Sequence, residues 1–217
     1  EVVIDTTKLN RYDISSSAEI NLEENNGAWI SSPVLLEKNG SISSIDNVTP
    51  QGNWQYRLGR QLIWFGNFED EGCTLWEINN ADEFYDTTES FTGSRSLCQE
   101  RPAGFSSIYT YLEKRIKLYS NTSDYTLHAY LKTDNAVNAG ILLQFYESRT
   151  QLYPIGTEDI NAEVSGTTDW TFYHNEFNVP SNTQFINLRL QSESPQSGEG
   201  KVWFDNVGLI EWTDWKD

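Results

Sequence analysis

The chain has no methionine, only two cysteines and only two histidines among its 217 residues. Its 15 Lys and Arg stand against 32 Asp and Glu, which gives a net charge of −17. Such a surface repels phosphate backbones and anionic lipids, so we expect neither nucleic acid nor membrane partners. No apolar stretch approaches the roughly 20 residues that cross a bilayer, so membrane insertion is not expected either. Without an initiator methionine, the chain is interpreted as a processed or excised piece of something longer. As a separate expectation, it is an exported protein, secreted or held at the cell surface.

The two cysteines, Cys73 and Cys98, leave two interpretations open. In a secreted chain we expect them to form a disulfide, which would stabilise the fold by about 3 kcal/mol, mainly by restricting the unfolded chain. In a cytosolic protein they would be two buried free thiols.

Short runs of alternating apolar and polar residues, bounded by Gly, Asn, Asp, Ser and Pro, recur along the chain and predict an all-β protein. The clearest strands are 125–132, 141–146 and 186–191, each with one apolar face. Residues 135–140 are a turn signal between the first two. We predict two antiparallel sheets packed as a sandwich. Residues 1–61 are predicted to be a strand-rich N-terminal extension or the tail of a preceding domain, and residues 62–217 the sandwich.

Four short segments carry a resemblance to a known family. They are residues 66–69 (GNFE), 93–97 (GSRSL), 169–173 (DWTFY) and 202–207 (VWFDNV). In this order they resemble the landmarks of galactose-binding-like jelly rolls, and within these of carbohydrate-binding modules of families 4, 9 and 22. The resemblance covers roughly residues 62–212. It implies a jelly-roll β-sandwich in which Trp170 and Phe172 pack in the core, as the corresponding Trp does in related modules.

The polar faces of the three clearest strands mix rings with amides and a guanidinium. Aromatic rings stack on the C–H face of a pyranose, while amides and guanidinium groups hydrogen-bond its hydroxyls. The resemblance implies that these strands form a concave sheet that binds glycan. The alternative is that Tyr130 and Tyr146 form a covered cross-strand pair that stabilises the sheet. The predicted ligand-binding residues are Tyr130, Tyr146, Gln144, Asn187, Arg189, His128 and Lys132.

The resemblance also implies a structural Ca²⁺ site away from the sugar cleft. Carried across, its ligands are Glu69, Ser94 through its backbone oxygen, and Asp205, with Asp70 as a competing ligand. Hard oxygen ligands from distant segments would tie the first and last strands of the sandwich together. In the alternative, Glu69 and Asp205 accept backbone hydrogen bonds or pair with Arg95 without a metal.

Motifs for catalysis are scarce in the sequence. There is no H-E-x-x-H zinc helix, no G-x-S-x-G elbow and no P-loop, and two carboxylates at catalytic separation cannot be identified from sequence. We therefore predict a non-catalytic module that binds a neutral polysaccharide or other glycan, with neighbouring domains of a longer chain as further partners. The alternative is a structural or adhesive β-sandwich of a cell-surface or filament-forming protein that has no sugar ligand.

Overall fold

The structure is a computed structural model of the chain. It describes residues 2–3, 18–20, 23–24, 34–39, 55–63, 65–70, 75–78, 82–104, 108–112, 114–121, 123–159 and 163–212. Among these residues, only the backbone is described for those up to 58 and for residues 108, 109, 111, 112, 158 and 159. All regular structure in these ranges is strand, which confirms the predicted all-β class. None of the residues described here belongs to a helix long and apolar enough to span a membrane.

Fifteen strands make up this part of the chain. They are β1 (Val2–Val3), β2 (Ala18–Ile20), β3 (Glu23–Glu24), β4 (Val34–Asn39), β5 (Gln55–Gln61), β6 (Trp76–Glu77), β7 (Glu83–Asp86), β8 (Ser96–Pro102), β9 (Ile108–Leu112), β10 (Ile116–Lys117), β11 (Asp124–Tyr146), β12 (Gly156–Asp159), β13 (Val164–Asn178), β14 (Phe185–Glu193) and β15 (Glu199–Trp212).

The chain divides into two compact units, Glu1–Leu62 with Ile210–Asp217, and Ile63–Leu209. In the smaller unit, β1 pairs with β3, and β4 pairs with both β2 and β5. The last residues of β15, from Ile210 to Trp212, pair with β5. Arg60 forms an ion pair with the buried carboxylate of Glu211 in this unit. The predicted division into an extension at 1–61 and a module at 62–217 stays a prediction.

The larger unit contains two antiparallel sheets that share β11. In sheet I the order is β7, β8, β15, β11 and β13, and in sheet II it is β6, β9, β14, β11 and β12, with β10 pairing to β14. Residues 124–139 of β11 pair with β13, and residues 137–146 pair with β14. The first half of β11 therefore lies in sheet I and the second half in sheet II.

The corner between the two halves of β11 is built on two asparagines. Asn135 and Asn138 both have a φ of 47°, and the register of β11 against β13 shifts between Leu131 and Ala139. Asparagine adopts this left-handed conformation more readily than most residues because its side chain can bond locally. The Asn135 amide donates to the carbonyl oxygens of Ser197 and Glu199. The predicted turn at 135–140 is thus a bend within one strand, and β11 continues through it.

The core lies between the sheets and is lined by alternate residues of each strand. On β11 these are Leu127, Ala129 and Leu131 in sheet I, and Ile141 and Leu143 in sheet II, all buried. Across the sheets, the rings of Phe145 and Phe177 have centroids 6.0 Å apart. The predicted β-sandwich of two antiparallel sheets is confirmed.

A buried polar group also joins the two sheets. On β8, the Gln99 amide donates to the Leu190 carbonyl and the Thr110 hydroxyl of sheet II. Next to it, the buried Arg101 guanidinium donates to the hydroxyl and the carbonyl of Ser192. These bonds satisfy polar atoms that would be costly to bury alone, and they hold β14 against sheet I.

Candidate functional site

The seven predicted ligand residues do not share one surface. β11 passes from sheet I to sheet II at its corner. Its solvent-facing side chains therefore lie on the outer face of sheet I before the corner and on the outer face of sheet II after it. The expectation of one common surface was wrong, because the sequence does not reveal that two apparent neighbouring strands are halves of one. His128, Tyr130 and Lys132 lie on the outer face of sheet I, and Gln144, Tyr146, Asn187 and Arg189 lie on the outer face of sheet II.

On sheet II the predicted residues form a compact polar surface, which we call the amide face (Gln144, Asn187, Arg189 and Gln191). Gln144 lies directly opposite Asn187 in the register of β11 and β14. The Arg189 guanidinium donates from Nε and Nη2 to Oε1 of Gln191, at 3.1 and 2.6 Å. All four side chains are half-buried. The amide face therefore presents planar donors and acceptors whose positions are restricted by the sheet.

Tyr146 lies at one end of the amide face, and its ring is covered. Its side chain is 4% exposed, and the Arg115 guanidinium lies 3.4 Å from its ring centroid. Its hydroxyl group lies 3.3 Å from Oε1 of Gln144. The structure thus gives Tyr146 an orienting contact to Gln144 and leaves little of its ring open to a ligand.

Arg115 also holds the loop between β11 and β12. Its guanidinium donates to the carbonyl oxygens of Ser148, Arg149 and Gln151. Because the same guanidinium covers Tyr146, this loop lies at the Tyr146 end of the amide face. At its tip Leu152 and Tyr153 are 83% and 79% exposed. A loop held by three hydrogen bonds to one side chain thus carries two large exposed side chains.

The predicted residues on sheet I belong to a second cluster, which we call the aromatic face (Phe91, Tyr130, Trp170, Phe172 and His174). Tyr130 lies opposite Phe172 in the register of β11 and β13, with ring centroids 5.0 Å apart. Phe91 stacks on Tyr130 at 3.5 Å, and Phe172 stacks on His174 at 5.4 Å. At the edge of this cluster Lys132 forms a 2.7 Å ion pair with Glu89.

The prediction that Trp170 and Phe172 pack in the core is wrong. Both lie on the outer side of β13; Phe172 is 43% exposed and Trp170 is half-buried. The alternation of the strand was readable from the sequence, but its orientation was not. The buried residues of β13 lie near its two ends, at Val164 and Phe177. Phe91, Leu152 and Tyr153 lie outside strands and gave no periodic signal.

Glu69 and Asp205 hold the turn at residues 91–95, and we call this arrangement the carboxylate clamp. Asp205 is fully buried, and its Oδ2 accepts hydrogen bonds from the amides of Phe91 and Thr92 at 2.9 and 3.0 Å. Glu69 Oε1 accepts from the amides of Ser94 and Arg95, both at 2.9 Å. Its Oε2 accepts from the Ser94 hydroxyl at 2.8 Å. This is the hydrogen-bonded arrangement that the sequence left open as the metal-free alternative.

The two clamp carboxyls have opposite pKa shifts. Burial raises the pKa of Asp205, the hydrogen bonds that it accepts work against this, and the Glu69 charge adds to it. Burial would also raise the pKa of Glu69, but its hydrogen bonds from Ser94 and Arg95 together bring it below its usual value. The two carboxylates therefore repel each other, and a cation between them would relieve the repulsion. Among the residues that the structure describes, no group of three or more His, Cys, Asp or Glu is arranged to hold a metal.

Cys98 is a buried free thiol. Burial raises its pKa, with the nearby Asp86 and Glu100 charges adding to the shift, so the thiol stays protonated and unreactive at neutral pH. Cys73 lies outside the described residues. The disulfide stays a prediction.

Comparison with solved structures gives similarities of fold at low sequence identity. A "Family 16 Carbohydrate Binding Module-2" matches with a TM-score of 0.52 and 17% identity, over 69% of this chain and 99% of that one. The module TmCBM61, solved with β-1,4-galactotriose, matches with a TM-score of 0.50 and 14% identity, over 70% and 99% of the two chains. The enzymatically active domain of bacteriophage CBA120 tailspike protein 4 matches with a TM-score of 0.53 and 13% identity. That match covers 70% of this chain but only 21% of the tailspike chain.

No protein-family model and no curated protein matches the sequence. The similarity is thus one of architecture, and it covers 69% and 70% of this chain for the two modules. The chain has the β-sandwich fold of carbohydrate-binding modules, as its four landmark segments predict.

Proposed function

We propose that the chain is a non-catalytic module that binds a neutral glycan on the amide face. The observation that carries this proposal is the row of half-buried amides and guanidinium on the outer side of sheet II. Sugar hydroxyls are both donors and acceptors, and Gln144 and Asn187 offer both kinds of atom side by side. The fold is that of modules whose names and ligands refer to carbohydrate, and this supports the ligand class.

The amide face lacks an open ring, and the loop between β11 and β12 offers one beside it. Tyr153 and Leu152 are the most exposed large apolar side chains in the described chain. Exposed apolar side chains on an anchored loop lose little conformational freedom on binding, and this favours affinity. We therefore include Tyr153 in the proposed site as the ring that stacks on a sugar, in the role first assigned to Tyr146.

The proposal is tested with Arg189→Ala in native affinity gels containing soluble xylan, β-1,4-galactan or barley β-glucan. We expect the wild-type protein to be retarded on at least one gel and Arg189→Ala to bind about tenfold more weakly, because a charged hydrogen-bond donor is lost. Tyr153→Ala should weaken binding to the same polysaccharide.

Asn178→Ala is the matched control, since Asn178 is an exposed residue at the end of β13 in the other sheet. Its retardation should equal that of the wild-type protein. If Arg189→Ala and Tyr153→Ala were both retarded like the wild type on the gel that binds it, the amide face would not be the site.

We also propose a structural Ca²⁺ held by the carboxylate clamp, with Glu69, Asp205 and the Ser94 backbone oxygen as ligands. These are hard oxygen donors of the kind that calcium prefers, and Asp70 follows Glu69 directly in the chain. Bound calcium would join the segments at residues 69, 94 and 205. Addition of EDTA should lower the unfolding temperature of the wild-type protein and leave that of Asp205→Asn unchanged. An equal response of both proteins to EDTA, or none in either, would contradict the calcium proposal.

The same proposal bears on the neighbouring domains of the module and on its location. A non-catalytic sugar-binding module raises the local concentration of polysaccharide around whatever it is joined to. Neighbouring domains of a longer chain and a secreted or cell-surface location agree with this role. We also propose that in that oxidising location Cys98, a free thiol in the structure, is oxidised to a disulfide with Cys73.

A further inference from the structure

We propose that the aromatic face is a second binding surface for a neutral polysaccharide, on the sheet opposite the amide face. The ligand class rests on the proposed function, whereas the location rests on sheet I alone. The consequence is a module with two binding surfaces on one sandwich, able to hold two polysaccharide chains or two segments of one chain.

The rings of the aromatic face form a connected series along β13. Trp170, Phe172 and His174 occupy alternate positions, so they project from the same side of the strand. Phe91 lies 6.1 Å from Trp170 and Phe172 lies 5.4 Å from His174, measured between ring centroids. A row of rings at such spacing offers successive stacking positions to a ligand built from repeated flat units.

β13 carries ring side chains on both of its sides. Its inner side carries Thr171, Tyr173, Asn175 and the buried Phe177, while its outer side carries Trp170 and Phe172. A sheet strand normally buries its apolar side against the core. Because Trp170 and Phe172 lie on the side of β13 that faces water, packing of the core does not account for these two rings, and a ligand does.

Two contacts fix the rings before any ligand binds. The Phe91 amide is held by Asp205 in the carboxylate clamp, and this places the Phe91 ring on Tyr130. Next to it, the half-buried His128 lies opposite His174 in the register and 6.0 Å from the ring of Phe172. Imidazoles supply hydrogen-bonding groups beside the stacking rings.

The size of the aromatic face and the net charge of the chain favour a neutral polysaccharide over a protein or a polyanion. Phe91 and Phe172 are 38% and 43% exposed. With about 200 Å² for each ring side chain, these two of its five residues offer roughly 160 Å². With the half-buried Tyr130 and Trp170 and the exposed His174 added, the face stays below the roughly 800 Å² that each partner buries in a stable protein interface. A net charge of −17 disfavours a polyanion. A narrow neutral chain that stacks on rings fits both limits.

The test compares Phe172→Ala with Arg189→Ala, using the polysaccharide that retards the wild-type protein and a matching hexasaccharide (xylohexaose, β-1,4-galactohexaose or cellohexaose). Isothermal titration should find two hexasaccharides per wild-type chain and one per chain of either variant. Light scattering should show that only the wild type cross-links the polysaccharide. Phe172→Tyr keeps the ring and should behave like the wild type. Phe91→Ala, which changes a turn rather than a strand, should behave like Phe172→Ala.

The outcomes separate this inference from the proposed function. One hexasaccharide per wild-type chain, lost in Arg189→Ala and kept in Phe172→Ala and Phe91→Ala, would overturn the second surface and leave the amide face intact. Loss of all binding in Phe172→Ala, with Arg189→Ala unchanged, would support the aromatic face and overturn the amide face. A wild-type protein retarded by none of the three polysaccharides would overturn both.

Discussion

At the residue scale, the two tyrosines singled out by the sequence show that surroundings decide what a side chain can do. Both lie on outward positions of β11, and both were assigned to sugar stacking. Tyr146 is covered by Arg115, whereas Tyr130 is half-buried under Phe91 within a partly exposed cluster of rings. The covering residues come from other segments of the chain, so alternation within one strand could not reveal them.

His128 should make the stability of the protein depend on pH. Burial lowers its pKa to about 4; a hydrogen bond with the Asn206 backbone works against this shift, and the His174 charge adds to it. Between its usual value and about pH 4, the unfolded chain holds a proton at this position that the folded chain lacks, so the free energy of unfolding falls as pH falls. The loss attributable to His128 should be up to about 3 kcal/mol between pH 6.5 and pH 4.

Urea unfolding of the wild type and of His128→Gln at several pH values measures this contribution as a difference between the two proteins. The comparison removes the contribution of carboxylates such as Glu69, which titrate in both. His174→Gln is the control, because this residue is exposed, and it should keep most of the pH dependence. Identical slopes in the wild type and His128→Gln would contradict the prediction.

At the element scale, β11 is the strand that decides where the candidate surfaces lie. Its 23 residues include both of the strands predicted at 125–132 and 141–146. The asparagines at its corner bond to residues 197, 199 and 193 through their side chains. These contacts hold the bend that separates the outward residues of sheet I from those of sheet II.

Replacing Asn138 should destabilise the corner in a way that depends on the backbone. Asn138→Ala places a residue without a local side-chain bond at a φ of 47°, and should cost about 1–2 kcal/mol in unfolding free energy. Asn138→Gly loses the same bond to Glu193 but adopts this φ freely, so it should cost clearly less. Chemical denaturation of both variants measures the difference. An equal loss in the two variants would mean that the side-chain bond, and not the backbone conformation, carries the effect.

Much of the secondary structure could be predicted from the sequence, because alternation is a local property. The strand expected at 186–191 falls within β14, and those expected at 125–132 and 141–146 fall within β11. The bend at Asn135 and Asn138 could not be predicted, since a run of Asn, Ala and Gly is equally typical of a turn. The orientation of β13 depends on its pairing with β11, which is a contact between distant segments. For the same reason the residues of the amide face were found, but their separation from Tyr130 was not.

At the scale of the whole molecule, the two outer faces of the sandwich differ in chemistry. The outer face of sheet II carries amides and a guanidinium, and the outer face of sheet I carries rings. Between them the core includes the buried Gln99 and Arg101, which bond sheet I to the carbonyls of β14. The backbone of β14, which bears Asn187 and Arg189, is thus fixed from the inside while its outward side chains stay accessible.

The sharing of β11 has a consequence for how the sandwich opens. Neither sheet can lose β11 without breaking the other, because the two halves of this one strand are hydrogen-bonded in both sheets. The amides of Leu131 in one sheet and Leu143 in the other are therefore expected to exchange their hydrogens with deuterium through a single cooperative event, with equal protection free energies. Native-state exchange followed by NMR would measure this, and a clearly lower protection at one of the two sites would mean that its sheet can come apart first.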